Sequence, residues 1–153
     1  MSELVFNESL IIKLEGLSTN EEALSLMANH LYDKGYVKES YKDAILNRES
    51  EFPTGLFTGA INVAIPHADV NFVKEASIAV GILKNPIKFR AMDDPDKEIE
   101  VRLIIMLALK EAHGHIQMLQ KVVSLIKNQD SIKEILSTDD LKKSYEIISK
   151  YLL

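Results

Sequence analysis

The sequence predicts an α/β fold, a single-domain sandwich in which helices lie on both faces of a mixed β-sheet. Amphipathic stretches open and close the 153-residue chain. Apolar runs of strand length lie between them, at 61–65, 77–83 and 100–109. Helices that precede, interleave with and follow a few strands are typical of a layered α/β domain. A single domain over residues 1–153 also fits the usual domain size.

A capping pattern and an apolar stripe predict the first helix. Ser18 with Glu21 three residues later matches a capping box, and Gly35 is suited to ending the helix near Lys34. The segments 4–6 and 10–14 before it are short apolar pieces of strand length. The expected buried face of the helix consists of Ala23, Leu24, Met27, Ala28 and Leu31.

A second helix is predicted over 37–51, with Tyr41, Ala44 and Ile45 on one face. The following loop contains Pro53-Thr54-Gly55 and Gly59, which favour turns. Segment 61–65 then has the composition of a buried strand. We expect that strand to end at Pro66, because proline cannot donate to a sheet ladder.

The second half of the chain continues the alternation of strands and helices. Asn85-Pro86 predicts a turn after the strand at 77–83, followed by a short edge strand at 87–89 and a polar loop at 91–97. The run 100–109 is the most hydrophobic and is expected at the centre of the sheet. Helices are predicted over 114–127, from Asp130 or Ser131 to Leu136, and from Thr138-Asp139 to Tyr151. The inner stripe of the first of these is Ile116, Leu119, Val122, Val123 and Ile126.

The composition narrows the functional classes. The chain has no cysteine, so disulfides and thiolate chemistry are excluded. Its net charge of −5 argues against non-specific nucleic-acid binding. The longest apolar run is too short to cross a bilayer, and the first residues lack the pattern of a secretory signal peptide. We expect a cytoplasmic protein.

His67 is the main candidate for a reactive group. It follows the strand at 61–65 and Pro66, at a strand end, where α/β proteins commonly place chemistry. A neutral imidazole is a competent nucleophile near neutral pH and can carry a covalent group. The structural alternative, a histidine that only bonds a neighbouring carbonyl group, remains open at this stage.

Arg48 is the second candidate, because a guanidinium group matches the geometry of a phosphate oxyanion. An arginine at a helix end is also often only solvated, so both interpretations stand. Its neighbour Glu49 is expected to face water rather than to orient Arg48.

His113 and His115 lie where the helix after the central strand begins. Their spacing of two residues points them to different helix faces, so a metal site is disfavoured. One of them could instead meet His67 at the same sheet edge, where the helix N-terminus also suits an anion. His30, late in the first helix, is expected to lie on the surface or to interact with the C-terminal end of the helix dipole.

Metal and nucleotide sites have little support elsewhere. Asp93, Asp94 and Asp96 lack the later glycine and glutamate of a calcium loop and are expected to form a solvated turn. No Gly-Lys-Ser/Thr follows Gly55 and Gly59, so the loop is not a phosphate-binding P-loop. We expect no metal and no cofactor.

Two motifs carry a family resemblance, R-E-S-E-F-P-T-G-L at 48–56 and A-I-P-H-A-D at 64–69. With them the chain resembles the fructose/mannitol-type enzyme IIA domains of the bacterial phosphoenolpyruvate-dependent sugar phosphotransferase system, and most of all the galactitol-specific branch. The resemblance covers nearly the whole chain, including H-I-Q-M-L-Q at 115–120.

The resemblance implies a role for each candidate. His67 would be the phosphorylated histidine, which accepts a phosphoryl group from phospho-HPr and passes it to a IIB component that works with a membrane IIC component. Arg48 would lie beside it, and His115 would match the second active-site histidine of mannitol-type members. Leu56, Phe57 and Ile65 are expected to limit access of water to the phosphohistidine.

Two alternatives remain open. The first is a regulatory relative of the nitrogen-type IIA proteins, in which the phosphorylation state of the same histidine controls binding to other proteins. The second is a non-catalytic small-ligand-binding domain in which His67 only donates a hydrogen bond.

Overall fold

The computed structural model describes residues 4–153, and it has the predicted α/β architecture. Five strands form one mixed sheet in the order β1-β4-β5-β3-β2. The strands are β1 Ile11–Leu14, β2 Gly55–Leu56, β3 Asn62–Ala64, β4 Ser77–Arg90 and β5 Glu98–Ala108. The helices are α1 Asn20–Asp33, α2 Tyr41–Glu51, α3 Ala112–Lys127, α4 Gln129–Ser137 and α5 Leu141–Leu152, with short 3₁₀ turns at Glu8–Leu10 and Val70–Phe72.

The antiparallel pair β4 and β5 forms the middle of the sheet. β1 extends it in parallel on one side, and β3 extends it in parallel on the other. Every residue of 77–83 and 103–109 is buried, so both faces of the sheet are covered. The predicted central position of the most hydrophobic strand is confirmed.

The predicted buried face of α1 is confirmed at all five positions, but the cap lies one residue later than predicted. Thr19, not Ser18, is the N-cap: its hydroxyl accepts the backbone N–H of Glu22, and the Glu22 carboxylate accepts the N–H of Thr19. Ser18 precedes the cap, and its N–H also donates to the carboxylate of Glu22. Gly35 follows the helix with a φ of +84°, a conformation that glycine adopts at low cost.

The second helix begins at Tyr41, so the predicted start at residue 37 is wrong. Val37 instead pairs with Val73, and the N–H of Lys38 donates to the carbonyl of Phe72. An extended segment that pairs with a distant part of the chain cannot also be the first turn of a helix.

The predicted turn at Asn85-Pro86 is also wrong, because β4 runs on to Arg90. Its register against β5 shifts between Ile82 and Ile87 and then resumes with Ile87 opposite Val101. Pro86 lies inside this irregularity, where a residue without an N–H removes no regular ladder bond.

The apolar stripe of α3 is rotated from the predicted one. Met118, Val122 and Leu125 are the buried residues, whereas Ile116 is 59% exposed and Val123 is 37% exposed. The predicted α3 start at residue 114 is two residues late, since the helix begins at Ala112. The caps of the last two helices are Asn128 and Asp140, close to the predicted ones.

The backbone of Gly55 in β2 packs tightly against the end of β4, and replacing this glycine tests the packing there. A Cβ atom at this position would lie 2.7 Å from the carbonyl oxygen of Arg90 and 3.0 Å from a side-chain carbon of Ile99. Because backbone must move to relieve this clash, we expect Gly55→Ala to lower the free energy of unfolding by about 1–3 kcal/mol.

Gly81→Ala is the matched control for that prediction. A Cβ at Gly81 would lie 2.7 Å from the sulfur of Met27 and 2.8 Å from a terminal carbon of Leu14, but the ends of side chains can move aside more readily than backbone. Urea denaturation of both variants should show the larger loss for Gly55→Ala, and equal losses would contradict this account of the two glycines.

Candidate functional site

His67 lies where the chain leaves β3. The N–H of Leu107 on β5 donates to the carbonyl of Pro66 at 3.0 Å, and His67 itself pairs with Leu107 in an isolated parallel bridge. The backbone of His67 is therefore held against the central strand, although β3 ends at Ala64. The structure places this histidine at a strand end on a rigid base, as the sequence predicts.

One ring nitrogen of His67 has a fixed partner. Nδ1 lies 3.0 Å from the carbonyl oxygen of Ile65. Because a carbonyl oxygen only accepts hydrogen bonds, Nδ1 carries the proton, and Nε2 of the neutral ring keeps its lone pair. Burial lowers the pKa of His67, the bond to Ile65 raises it in part, and the charge of Arg48 lowers it further. The ring is therefore neutral at neutral pH, the form that acts as a nucleophile.

His115, near the start of α3, lies next to His67. The ring centroids are 4.9 Å apart, with an angle of 38° between the ring planes. Burial and, after it, the charges of His67 and Arg48 lower the pKa of His115 to about 4, against an opposing effect of Asp69. Its Nε2 is buried and has no hydrogen-bond partner among residues 4–153. The second ring thus presents a neutral nitrogen with unused hydrogen-bonding capacity.

Arg48 lies exposed in the last turn of α2, and its guanidinium carbon is 5.3 Å from the centroid of the Phe52 ring. It lines a groove of about 300 Å³ together with Ala68 and Asp69, the two residues that follow His67. No carboxylate of the described chain lies within ion-pair distance of Arg48. Glu51 and Asp69 also line the groove, but neither forms an ion pair with Arg48, so its charge remains available to an anion.

Glu49 does not face water, so the sequence-based expectation for this residue is wrong. It is only 6% exposed, and its two carboxylate oxygens accept the backbone N–H and the hydroxyl of Thr54, at 2.9 and 2.8 Å. Burial raises the pKa of Glu49 to about 7, although the Thr54 bonds and the charge of Arg90 oppose the shift. The missed indication was the helical period, since position 49 lies four residues after Ile45 and eight after Tyr41 on the buried face.

The apolar surround is only partly as expected. Ile65 is buried and Leu56 is half-buried, but Phe57 is 56% exposed, and the ammonium group of Lys97 lies 3.9 Å from its ring centroid. Phe52, which the sequence analysis did not single out, lies instead against Arg48. The aromatic residues that line the groove with Arg48 are therefore Phe52 and Phe72.

The remaining candidates lie elsewhere. His113 is exposed, and His30 contacts the carbonyl of Ser9 through Nε2 at 2.7 Å. The acidic residues at 93–96 lie on an exposed turn. Residues 4–153 contain no group of three or more histidine, aspartate or glutamate side chains placed to hold a metal ion. In the same part of the chain, no helix is long and apolar enough to cross a membrane.

The geometry defines a site for an anion next to a nucleophile. The free Nε2 of His67, the neutral ring of His115 and the unpaired guanidinium of Arg48 come from three separate segments: the two rings lie against each other, and the charge of Arg48 acts on both. A lone pair supplies the attacking atom, and the other two groups supply a positive charge and a hydrogen-bonding nitrogen. This combination suits transfer of a phosphoryl group and needs no metal ligand.

Comparison with known proteins agrees with this chemistry. A family model described as "Phosphoenolpyruvate-dependent sugar phosphotransferase system, EIIA 2" matches residues 4–151. The galactitol-specific EIIA component of the phosphotransferase system of Escherichia coli K12 is 26% identical over 132 residues, which are 86% of this chain and 87% of that protein. The mannitol-specific EIICBA component of Pasteurella multocida is 29% identical over 128 residues, or 82% of this chain and 20% of that longer protein.

A solved structure shares the fold. The complex of mannitol enzyme IIA with phosphorylated enzyme IIB from Escherichia coli contains a chain that superposes with a TM-score of 0.79 at 21% identity. The alignment covers 97% of this chain and 99% of that one. The similarity therefore extends over the whole described α/β domain.

The lowered pKa of His115 predicts a pH dependence of stability. Its ordinary value is 6.5 and its value in the folded protein is about 4, so between these limits the unfolded chain binds more protons. The stability that the neutral ring contributes is complete above pH 6.5 and is lost as the pH falls towards 4. We therefore expect the wild type to lose stability relative to His115→Gln over this range, measured by urea denaturation at each pH.

His113→Gln is the control, because it replaces an exposed histidine at the start of the same helix and should keep the wild-type slope. Glu49 titrates in an overlapping range with the opposite sign, but it is present in all three proteins and cancels in the comparison. Parallel plots of unfolding free energy against pH for the wild type and His115→Gln would contradict the lowered pKa of His115.

Proposed function

We propose that His67 is the residue on which this protein carries a phosphoryl group, because the chain belongs to the EIIA 2 family of the phosphoenolpyruvate-dependent sugar phosphotransferase system. Members of this family are phosphotransferase components that transfer phosphate through a histidine. The observation that carries the proposal is the Nδ1 bond to Ile65, which leaves Nε2 free in a ring that lies against His115 and within the electrostatic influence of Arg48.

The reaction is a phosphoryl transfer in two steps. The lone pair of His67 Nε2 forms a bond to phosphorus while the bond from phosphorus to the donor, phospho-HPr, breaks and its electron pair leaves with HPr. In the second step the nucleophile of a IIB component attacks phosphorus, and the electron pair of the Nε2–P bond returns to the ring. Nδ1 keeps its proton throughout, and the carbonyl of Ile65 stabilises the positive charge that the ring gains when it is phosphorylated.

Arg48 and His115 bind the oxygens of the transferred group. The transition state spreads negative charge over these oxygens, so fixed positive and hydrogen-bonding groups lower its energy. Arg48 offers a planar pair of donors with no competing carboxylate. His115 offers Nε2, which is buried and without a partner in the described chain; as the Nε2–H tautomer it donates to a phosphoryl oxygen.

The partners follow from the same proposal. The exposed side chain of Phe52, next to Arg48 in the groove, gives the site an apolar rim, at 60% exposure. Such a rim suits short-lived docking of HPr and a IIB component. Galactitol or a related polyol is the proposed sugar, supported by the Escherichia coli galactitol relative, and the protein would act in the cytoplasm beside a membrane IIC component.

A labelling experiment tests the assignment of His67. Incubation with phosphoenolpyruvate, enzyme I and HPr should add one acid-labile phosphoryl group to the wild type, detected by intact mass. His67→Ala should gain none, and neither should His67→Gln, because an amide has no nucleophilic ring nitrogen. An acid-labile adduct of equal yield on His67→Ala would refute the assignment, provided that circular dichroism shows both variants folded.

The same sample separates the alternatives. Adding purified galactitol IIB should discharge the phosphorylated protein if it serves transport. A stable adduct that no IIB discharges would favour the regulatory alternative, and absence of any adduct on folded wild-type protein would favour the ligand-binding one.

Arg48→Ala should slow transfer without unfolding the protein. We expect about a 100-fold lower rate of phosphoryl acceptance, because a preorganised donor to the transferring group is lost. The free energy of unfolding should change by less than about 0.5 kcal/mol, since an exposed charge contributes little. Quench-flow labelling and urea denaturation measure the two effects.

Two variants serve as controls for Arg48. Arg48→Lys keeps the charge but loses the planar pair of donors, so its rate should lie between those of the wild type and Arg48→Ala. Lys127→Ala removes an exposed cation at the far end of α3 and should leave the rate unchanged. Equal loss of folding and activity in Arg48→Ala would make the arginine structural.

A further inference from the structure

We propose that Glu49 is a positioning residue of the transfer site, which sets the placement of Arg48 relative to His67 by binding Thr54. The inference rests on the proposed function of His67 and adds a residue that does not touch the phosphoryl group. Three consecutive hydrogen-bonded contacts carry it: Glu49 to Thr54, Thr54 to Ile65, and Ile65 to His67.

The contact between Glu49 and Thr54 is strong because it is buried and consists of two hydrogen bonds. Both carboxylate oxygens of Glu49 are used, one by the N–H and one by the hydroxyl of Thr54. Thr54 is itself only 2% exposed, so water cannot replace either bond without opening the structure. An unpartnered buried acceptor costs free energy, and this cost fixes the end of α2 against the loop that contains Thr54.

The next two contacts lead from that loop to the reactive ring. The carbonyl of Thr54 accepts the N–H of Ile65 at 3.2 Å, and the carbonyl of Ile65 accepts Nδ1–H of His67 at 3.0 Å. The group that selects the reactive nitrogen is therefore two contacts away from Glu49. A shift of Thr54 moves Ile65, and with it the acceptor for His67.

A second attachment holds the other end of α2. The hydroxyl of Tyr41 donates to the carbonyl of Leu107 at 3.0 Å, and the N–H of Leu107 donates to Pro66. Tyr41 starts the helix and Glu49 lies in its last turn, so both ends are joined to the segment that contains His67. Arg48 lies directly beside the attachment that Glu49 makes to Thr54, so its position depends on that contact.

The role of Glu49 is geometric and does not depend on its charge. Either ionisation state keeps an oxygen that accepts the N–H of Thr54. The positive charge of Arg90 acts on Glu49, and its guanidinium group donates to the carbonyl of Ser50, so Arg90 supports the same end of α2. A glutamine at position 49 can accept from the Thr54 N–H with its oxygen and donate to the Thr54 hydroxyl with its nitrogen.

Kinetics of phosphoryl acceptance from phospho-HPr test the inference. Glu49→Ala should lower kcat by about 10- to 100-fold, because a displacement on the order of 1 Å at a reacting centre has an effect of this size. Its KM for phospho-HPr should change by less than about threefold, since the docking rim is untouched. Glu49→Gln should stay within about threefold of the wild type in both constants. Thr54→Val keeps the N–H but loses the hydroxyl and should lie between the two.

Leu125→Ala provides the matched control. It destabilises the core through a buried residue of α3 that takes no part in the three contacts. Assayed at a temperature at which every variant is folded, it should keep the wild-type kcat despite a comparable loss of stability. A Glu49→Ala protein with wild-type kcat, or a Leu125→Ala protein that loses as much kcat, would overturn the inference. If Glu49→Ala does not fold, the comparison of Glu49→Gln with Thr54→Val decides in the same way.

Nitrogen-15 NMR of the unphosphorylated protein gives a readout independent of transfer. The wild type and Glu49→Gln should show His67 with its proton on Nδ1, and Glu49→Ala should show a mixture of tautomers. If Glu49→Ala keeps the wild-type tautomer of His67 and the wild-type kcat, the proposed role of Glu49 is contradicted. If the wild type accepts no phosphoryl group at all, the proposed function fails instead, and the tautomer spectra still show whether Glu49 controls the orientation of His67.

Discussion

The parallel pairing of β3 with β5 is the constraint on which the site depends. β3 has three residues, yet its register continues past its end through the Leu107–Pro66 hydrogen bond and the pairing of His67 with Leu107. Because residues 103–108 of β5 are all buried, the backbone of His67 has little freedom to move. Proline at position 66 leaves no unpaired N–H at the end of β3, its carbonyl keeps the chain on β5, and the ring of His67 turns back to the carbonyl of Ile65.

Desolvation decides the chemistry of the two histidine rings. Burial is the largest effect on the pKa of both His67 and His115, and the nearby charge of Arg48 acts in the same direction. Neutral rings are the useful form here, since one must attack phosphorus and the other must not repel Arg48. The arriving phosphoryl group brings the negative charge that Arg48 lacks in the described chain, so binding relieves the imbalance.

The sequence predicted those features of the fold that depend on residues close to one another in the chain. The buried stripe of α1 and the strand end at His67 follow from helical period and from proline chemistry, and both were predictable. The start of α2 was not, because Val37 pairs with a partner 36 residues away. Glu49 was misjudged for a related reason: its burial depends on Thr54, and a carboxylate is by default expected on the surface. The family resemblance implied that Arg48, His67 and His115 lie together. Local sequence patterns do not show this, because the three residues come together only when the chain folds.

Nitrogen-15 NMR of the phosphorylated protein is the most direct test of the claim that Nε2 of His67 carries the phosphoryl group. The Nδ1 bond to Ile65 predicts coupling of phosphorus to Nε2 of that ring, with the proton retained on Nδ1. Coupling of phosphorus to Nδ1 of His67, or a phosphoryl group on His115, would contradict the claim.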